Sequence, residues 1–483
     1  MATSSPLSAA KPSWDARTWA LLGVLCGVLF LDGLDVSMVG MALPSIRAEL
    51  GLTTSQLQWV VSGYVLGYGG LLLLGGRAAD MLGRRRVLLV ALAVFAAASV
   101  VGGLVNDGTL LVVTRLLKGM AAAFTAPAGL SIITTSFAEG PQRNRALAIY
   151  TATGASGFSL GLVFGGLLTE LGWRWVFLLP VPFALAILIV ARRVIPKDRA
   201  MPAAARSYDI AGAVTVTAAM LLLVRTVVTA PDEGWGAPIT LAGFALVAAL
   251  LAAFVTIERR SAHPLIRLGI LRSGPLVRAN LIAMVVFGSY VGFQFIGTLY
   301  LQTMHGWSPL ETALAFLPGG AIVAFGAPRI GPLVDRFGTQ KLMAVGLASF
   351  VVGYALFLRL DSSPSYVLLM LPTMILIGIG FALCFPSFNI QATNGVADHE
   401  QGLASGLVNT SFQVGGAVGL AIVTAVVTSQ TGTASDAAGM LDGFRPGIGV
   451  VTGVAVLGLL VAIAPGVAAV ARRSAAVLAP QGR

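Results

Sequence analysis

The chain reads as an all-α polytopic membrane protein in which two six-helix bundles flank an inserted pair of helices, fourteen spans in all. Three observations carry this reading: the composition, the spacing of long apolar windows, and a loop pattern that returns after 255 residues. Of 483 residues, 57% are hydrophobic and only 11% charged, where a soluble domain carries about a quarter charged. The mean hydropathy of +0.88 extends over the whole length, which excludes a soluble globule and equally a soluble enzyme with one anchor. Cys26 and Cys384 both lie in apolar stretches, and His263, His305 and His399 are far apart. Neither a disulfide scaffold nor a clustered metal site is expected, and no catalytic constellation or cofactor motif stands out, so the chain does not read as an enzyme.

Windows able to cross a ~30 Å apolar core fall at residues 19–41, 56–76, 86–104, 109–132, 144–168, 173–191, 210–229, 239–257, 277–304, 312–330, 341–359, 366–390, 403–428 and 446–470. The corresponding plan is a cytoplasmic tail (1–18), a first six-helix bundle (19–191), a linker (192–209), the inserted helices 7 and 8 (210–257), a second linker (258–276), a second bundle (277–470) and a C-terminal tail (471–483). An even number of spans puts both termini on one side. With that side cytoplasmic, 24 of the 31 basic residues fall in inside loops and tails, and only Arg47, Arg174, Arg359 and Arg445 fall outside. This is the positive-inside pattern. It accounts for the net charge of +11 without a nucleic-acid partner, and the first span reads as retained, not cleaved.

Each element then has its own content. Span 1 holds Asp32 and Asp35 at membrane depth, and span 4, running the other way, holds Arg115 and Lys118. Three-residue spacing puts each pair near one helix face, so Asp35 is expected opposite Arg115 and Asp32 near Lys118. Charges at this depth are costly and mark function by default; a carboxylate able to gain and lose a proton there is what a proton-coupled carrier needs, and a static ion pair joining the two helices is the other reading. Between spans 2 and 3, GRAADMLGRRR (76–86) supplies Gly76, Asp80, Gly83 and Arg84, and the loop between spans 10 and 11 repeats Asp80 and Gly83 as Asp335 and Gly338. These loops are expected to act as a conformational latch between helix ends, with the basic residues resting on lipid headgroups. Glycines at 154, 157, 161, 165 and 166 give span 5 a smooth face for a close-packed neighbour, and residues 402–419 give span 13 another. Gly157, Gly161 and Gly165 are the packing positions to watch. For a cavity, Phe158, Tyr290, Phe293, Tyr300 and Gln302 supply aromatic and polar surface, with Lys118 and, in inserted span 7, Arg225 as cations. Two similar bundles about a midplane cavity suit alternating access, and no GxxxxGK[ST] nucleotide motif is present.

On these motifs the sequence resembles the major facilitator superfamily, and within it the fourteen-helix drug:proton antiporter branch. LDVSMVGMALPSI (34–46) is similar to the family's helix 1 signature, GRAADMLGRRR to its loop 2–3 signature, and RLLKGMAAA (115–123) with Pro127 to its helix 4 signature. WRWVFLLPVP (173–182), PLETALAFLPGG (309–320) and GLASGLVNTSFQVGGAVG (402–419) extend the likeness over nearly the whole chain. The resemblance implies a monomeric exporter of lipophilic small molecules in the bacterial plasma membrane. It also implies that the inward proton gradient is the driving force, with no cofactor, and that Asp35, with Asp32, and Arg115 couple to protonation. An exporter dedicated to one natural product or metabolite is the alternative. Three positions depart from the family pattern: Gly40 where Asn is common, Lys118 where Gln is common, and Leu162 where a Gly-Pro pair has its proline. The extra cation favours neutral or anionic compounds over cationic dyes.

Overall fold

A computed structural model describes residues 14–137, 141–197, 210–261, 269–270, 273–326, 329–360, 365–394, 396, 401–431 and 437–478. Most of the expected tails and linkers, including His263 and Arg267, lie outside these residues, and so does His399 between spans 12 and 13. The described chain is helical throughout: α1 (Ala16–Leu50), α2 (Thr54–Leu82), α3 (Arg84–Leu104), α4 (Gly108–Ser136), α5 (Pro141–Leu171), α6 (Arg174–Leu178), α7 (Pro180–Val194), α8 (Ile210–Glu233), α9 (Pro238–Arg260), α10 (Gly274–Leu299), α11 (Pro309–Gly326), α12 (Ile330–Phe337), α13 (Thr339–Phe357), α14 (Leu371–Thr393), α15 (Gln401–Thr431) and α16 (Ala437–Leu478). Single π-helical turns, Tyr300–Met304 and Tyr366–Met370, extend α10 and precede α14. Among the described residues, each apolar window falls mainly on helix. Among the described residues, eleven helical segments are long and apolar enough to cross a membrane by themselves.

The boundaries follow local chemistry. Asp15 caps α1, accepting from the Thr18 amide at 2.8 Å, so helix begins at Ala16 inside the expected tail; Gly51 ends it in the left-handed conformation, φ 65°. Asp107 caps α4 by accepting from Leu110 N, and the α3–α4 turn is as short as the gap between the windows 86–104 and 109–132. The sixth window is divided into α6 and α7 at Leu179–Pro180, because proline brings no N–H and starts a new helix. The short amphipathic α12 is an addition: it carries Asp335 in what reads by sequence as a loop.

The internal repeat is deeper than the loop motif. Thr53 and Gln56 form a reciprocal capping box at the start of α2, and Ser308 and Glu311 do the same for α11, again 255 residues on. Gly83 and Gly338 take nearly the same backbone conformation, φ/ψ 95°/130° and 79°/153°, which is open to glycine and strained for other residues. Helix contacts repeat likewise. α1 packs on α5 as α10 packs on α15, α2 on α4 as α11 on α14, and α3 on α7 as α13 on α16. Across the halves, α5 meets α11 and α2 meets α15, while α8 rests on α2 and α15 and α9 covers α8.

Bilayer tails do not drive apolar helices together, so close contact depends on small side chains. On α5, a Cβ at Gly157 would stand 2.4 Å from the Phe30 carbonyl oxygen, and at Gly161 2.0 Å from Ser37 Oγ. One at Gly165 would meet Met38 Cα at 2.7 Å. These three glycines therefore hold α1 against α5 as their spacing suggests. In the second half, Gly415 and Gly419 do the same for α15 against Met284 and Gly288 of α10.

Candidate functional site at the interface of the halves

Asp35 is fully buried, and so are the two cations on it, Arg115 (1% exposed) and Lys118 (0%). Arg115 Nη1 donates to Asp35 Oδ2 and Lys118 Nζ to Asp35 Oδ1, so both carboxylate oxygens are engaged by charge. The Arg115 Nε also donates to the Val60 carbonyl of α2 at 3.0 Å, and its guanidinium lies 4.5 Å from the centre of the Tyr64 ring. Lys118 extends between Phe95 of α3 (4.7 Å) and Phe177 of α6 (5.3 Å), where ring faces offer the ammonium partial compensation for lost water. Helices α1, α2, α3, α4 and α6 thus meet around one carboxylate.

Asp32 is 5% exposed and accepts from Thr125 Oγ1 at 3.0 Å. The expected Asp35–Arg115 pairing is present. Lys118, expected near Asp32, makes its bond to Asp35, because the depth of a Cα atom does not fix where a long side chain ends. Three residues of α1 cover about 4.5 Å, and the long lysine stem reaches the remaining distance to Asp35. Thr125, seven residues after Lys118 on the same α4 face, is the partner the sequence reading passed over.

Arg115 also faces a narrow cleft between the halves, with a volume of about 30 Å³. The first half contributes α1, α2, α4 and Phe158 of α5, and the second half α10 and Leu420 of α15. Valine, leucine and phenylalanine form most of the wall; Gln294 and Thr298 add polarity. Neither of those two was singled out by sequence, since uncharged polar residues are frequent in the apolar spans.

The other expected cavity residues separate. Tyr290 stands beside the cleft residue Phe158, ring centres 5.9 Å apart, and against Phe381 at 5.4 Å. Phe293 points into the second half, 5.0 Å from Phe357, and Tyr300 packs on His305 (4.5 Å) and Phe357 (5.7 Å). Both are core residues in this state and do not line the cleft. Gln302 Nε2 donates to the Met41 carbonyl at 3.1 Å, joining the π-turn after α10 to α1 across the halves; Ser159 Oγ, donating to Gly320 O at 3.1 Å, joins α5 to α11. Lys118 lies behind Arg115, outside the cleft lining. Arg225 is exposed on α8, away from the cleft altogether.

Of the expected latch, Gly76 stands over Pro127 of α4, Gly83 makes the sharp turn into α3, and Arg84 donates to the Ser131 carbonyl of α4 at 3.3 Å. The side chain of Asp80 lies outside the described residues. Asp335 is exposed on α12.

Two repeat-related helical bundles around a shared apolar cleft, with Arg115 at its wall joined to the buried Asp35 carboxylate behind it, define a polytopic membrane transporter of the two-bundle class. Residues 25–420 match the model of the Major Facilitator Superfamily, and the chain belongs to that family. Among its relatives are the puromycin resistance protein of Streptomyces alboniger, 38% identical over 432 residues, covering 88% of this chain and 84% of the relative. The cephamycin export protein of Amycolatopsis lactamdurans is 38% identical over 416 residues, covering 85% of each. The lincomycin resistance protein of Streptomyces lincolnensis is 33% identical over 409 residues, 84% of each. Among solved structures, a POT family transporter superposes with TM-score 0.67 at 16% identity, over 94% of this chain and 99% of its own. At that identity the likeness is one of fold.

Proposed function

We propose that the chain is a proton-coupled exporter of lipophilic small molecules, of the fourteen-helix antiporter branch, working as a monomer in the bacterial plasma membrane with both termini cytoplasmic. The observation that carries this reading is the placement of Arg115, which touches the cleft and Asp35 together. A change of charge in the carboxylate cluster is thereby transmitted to the cleft wall in one step. Asp32 takes the transported proton first: its partner Thr125 is a neutral hydroxyl, so it gains a proton without an ion pair being broken. Loss of that charge leaves Arg115 and Lys118 sharing Asp35 alone. The excess positive charge on the α4 side then biases the halves toward the state in which the cluster is hydrated and substrate is exchanged. Asp35 holds the two cations and completes the coupling, the inserted helices α8 and α9 pack outside the two halves, and the gradient alone drives the cycle.

A second reading, an exporter dedicated to one natural product, has a specific support: relatives are named for single compounds, among them puromycin, cephamycin and lincomycin. Expression in a drug-sensitive bacterial host separates the two. Raised resistance to several unrelated lipophiles, with their accumulation restored by a protonophore, is expected of the first; resistance confined to one compound supports the second. No change in accumulation of any compound contradicts both.

A further inference from the structure

The cleft has a polarity of its own. Gln294 and Thr298 stand one turn apart on α10, 9% and 1% exposed, and both line the cleft. Among the described residues, neither Gln294 Nε2 nor Thr298 Oγ1 has a hydrogen-bond partner. Buried donors left unmade are costly, and native proteins keep few of them without a reason. The carboxamide of Gln294 occupies a notch that exists because residue 40 is glycine: a Cβ there would stand 2.9 Å from Nε2. The third polar group on the wall, Arg115, is also a donor.

Among the described residues, no carboxylate lines the cleft. Asp35, the nearest candidate for binding a cation, has each oxygen engaged by Arg115 or Lys118. Donors on an apolar wall, with no acceptor charge beside them, suit a ligand whose apolar body carries a carbonyl, ether or carboxylate oxygen. We infer that Gln294 and Thr298 are the specificity-determining anchor of the cleft, donating to an acceptor oxygen on neutral or anionic lipophiles, and that Gly40 holds Gln294 in place to do so. This rests on the export reading and adds the chemical class of its substrate.

A matched pair of probes tests it: 9,10-anthraquinone, with two carbonyl oxygens, and anthracene, the same ring system with none. Binding of each radiolabelled probe to purified full-length protein in identical micelles gives a ratio in which partition into detergent is common to wild type and variants. Wild type is expected to favour anthraquinone by roughly tenfold over the partition-corrected ratio, the value of about one hydrogen bond. Gln294→Leu with Thr298→Val is expected to bring the ratio to about one. Gly40→Ala, which displaces the Gln294 head without removing it, is expected to lower the ratio part of the way and serves as the test if the double variant does not fold. A wild-type ratio near one, or a tenfold ratio kept by these variants, overturns the anchor. Efflux of the probes from proteoliposomes is read in parallel: efflux without discrimination overturns the anchor alone, and no efflux of either probe by wild type overturns the export reading together with the anchor.

Discussion

Replacing Asp35 by Asn removes the carboxylate to which two buried cations are bonded. Arg115 and Lys118 are 1% and 0% exposed, so neither is restored to water without rearranging α4. Breaking a buried pair by removing one partner costs about 3–5 kcal/mol, because the remaining charge is uncompensated; here two remain, and Asp35→Asn is expected at or above the upper end. Lys118→Gln behaves differently. Asp35 keeps Arg115 as a one-to-one ion pair, and the loss is about one charged hydrogen bond, ~1.5–3 kcal/mol, reduced by the desolvation of an ammonium no longer required. The double variant Asp35→Asn with Lys118→Gln is therefore expected to be about 2 kcal/mol more stable than Asp35→Asn alone, because one uncompensated buried charge is left instead of two. Reversible unfolding in mixed micelles titrated with SDS measures all four proteins. A double variant less stable than Asp35→Asn, by the full cost of Lys118→Gln, refutes the assignment of Lys118 to Asp35.

Other outcomes follow from the same structure. Gly161→Ala places a Cβ 2.0 Å from Ser37 Oγ and 2.6 Å from Leu34 O, so it is expected to separate α1 from α5 and cost several kcal/mol. Gly23→Ala, with nothing within 4 Å, is expected to be neutral or to gain up to ~1 kcal/mol of helix propensity; the same unfolding assay compares them. Arg174 bonds Glu49 and Asn106, yet the side chains of Arg174 and Glu49 are 30% and 51% exposed, and solvent screening limits such pairs. Arg174→Ala is expected to cost no more than ~1 kcal/mol, and less in high salt. Asp32→Asn is expected to leave the fold intact, since Asn can still accept from Thr125, and to make substrate binding independent of pH where wild-type binding depends on it; equilibrium binding over a pH series reads this directly.

Legibility in the sequence depended on how unusual a residue was in its surroundings. Five charges in otherwise apolar spans stood out at once, and antiparallel depth brought Asp35 to Arg115. The same argument assigned Lys118 to Asp32, because depth along a helix locates Cα atoms and says little of where a four-carbon stem ends. The repeat was legible from Asp80 and Asp335 with their glycines, and the capping boxes of α2 and α11 follow the same spacing. Thr125, Gln294 and Thr298 gave no such signal, being three of many neutral polar residues in membrane helices. The second half of α10 and the start of its π-turn are buried on every side from Val286 to Leu301, so periodicity could not separate Phe295, which faces the cleft, from Phe293 and Tyr300, which face the core of the second half. Arg225 stood out by charge as Arg115 did, but charge alone does not indicate which side of a helix faces a neighbour.

The central claim is that movement of a lipophile out is coupled to movement of protons in through the Asp32–Asp35 cluster. The most direct measurement is proton flux in proteoliposomes with an internal pH dye, triggered by adding a transported lipophile, for wild type, Asp32→Asn and Asp35→Asn. Ligand-dependent flux in wild type and none in either variant is the predicted result. Ligand transport without proton movement in wild type, or flux unchanged in both variants, contradicts it and returns the cluster to a structural tie between α1 and α4.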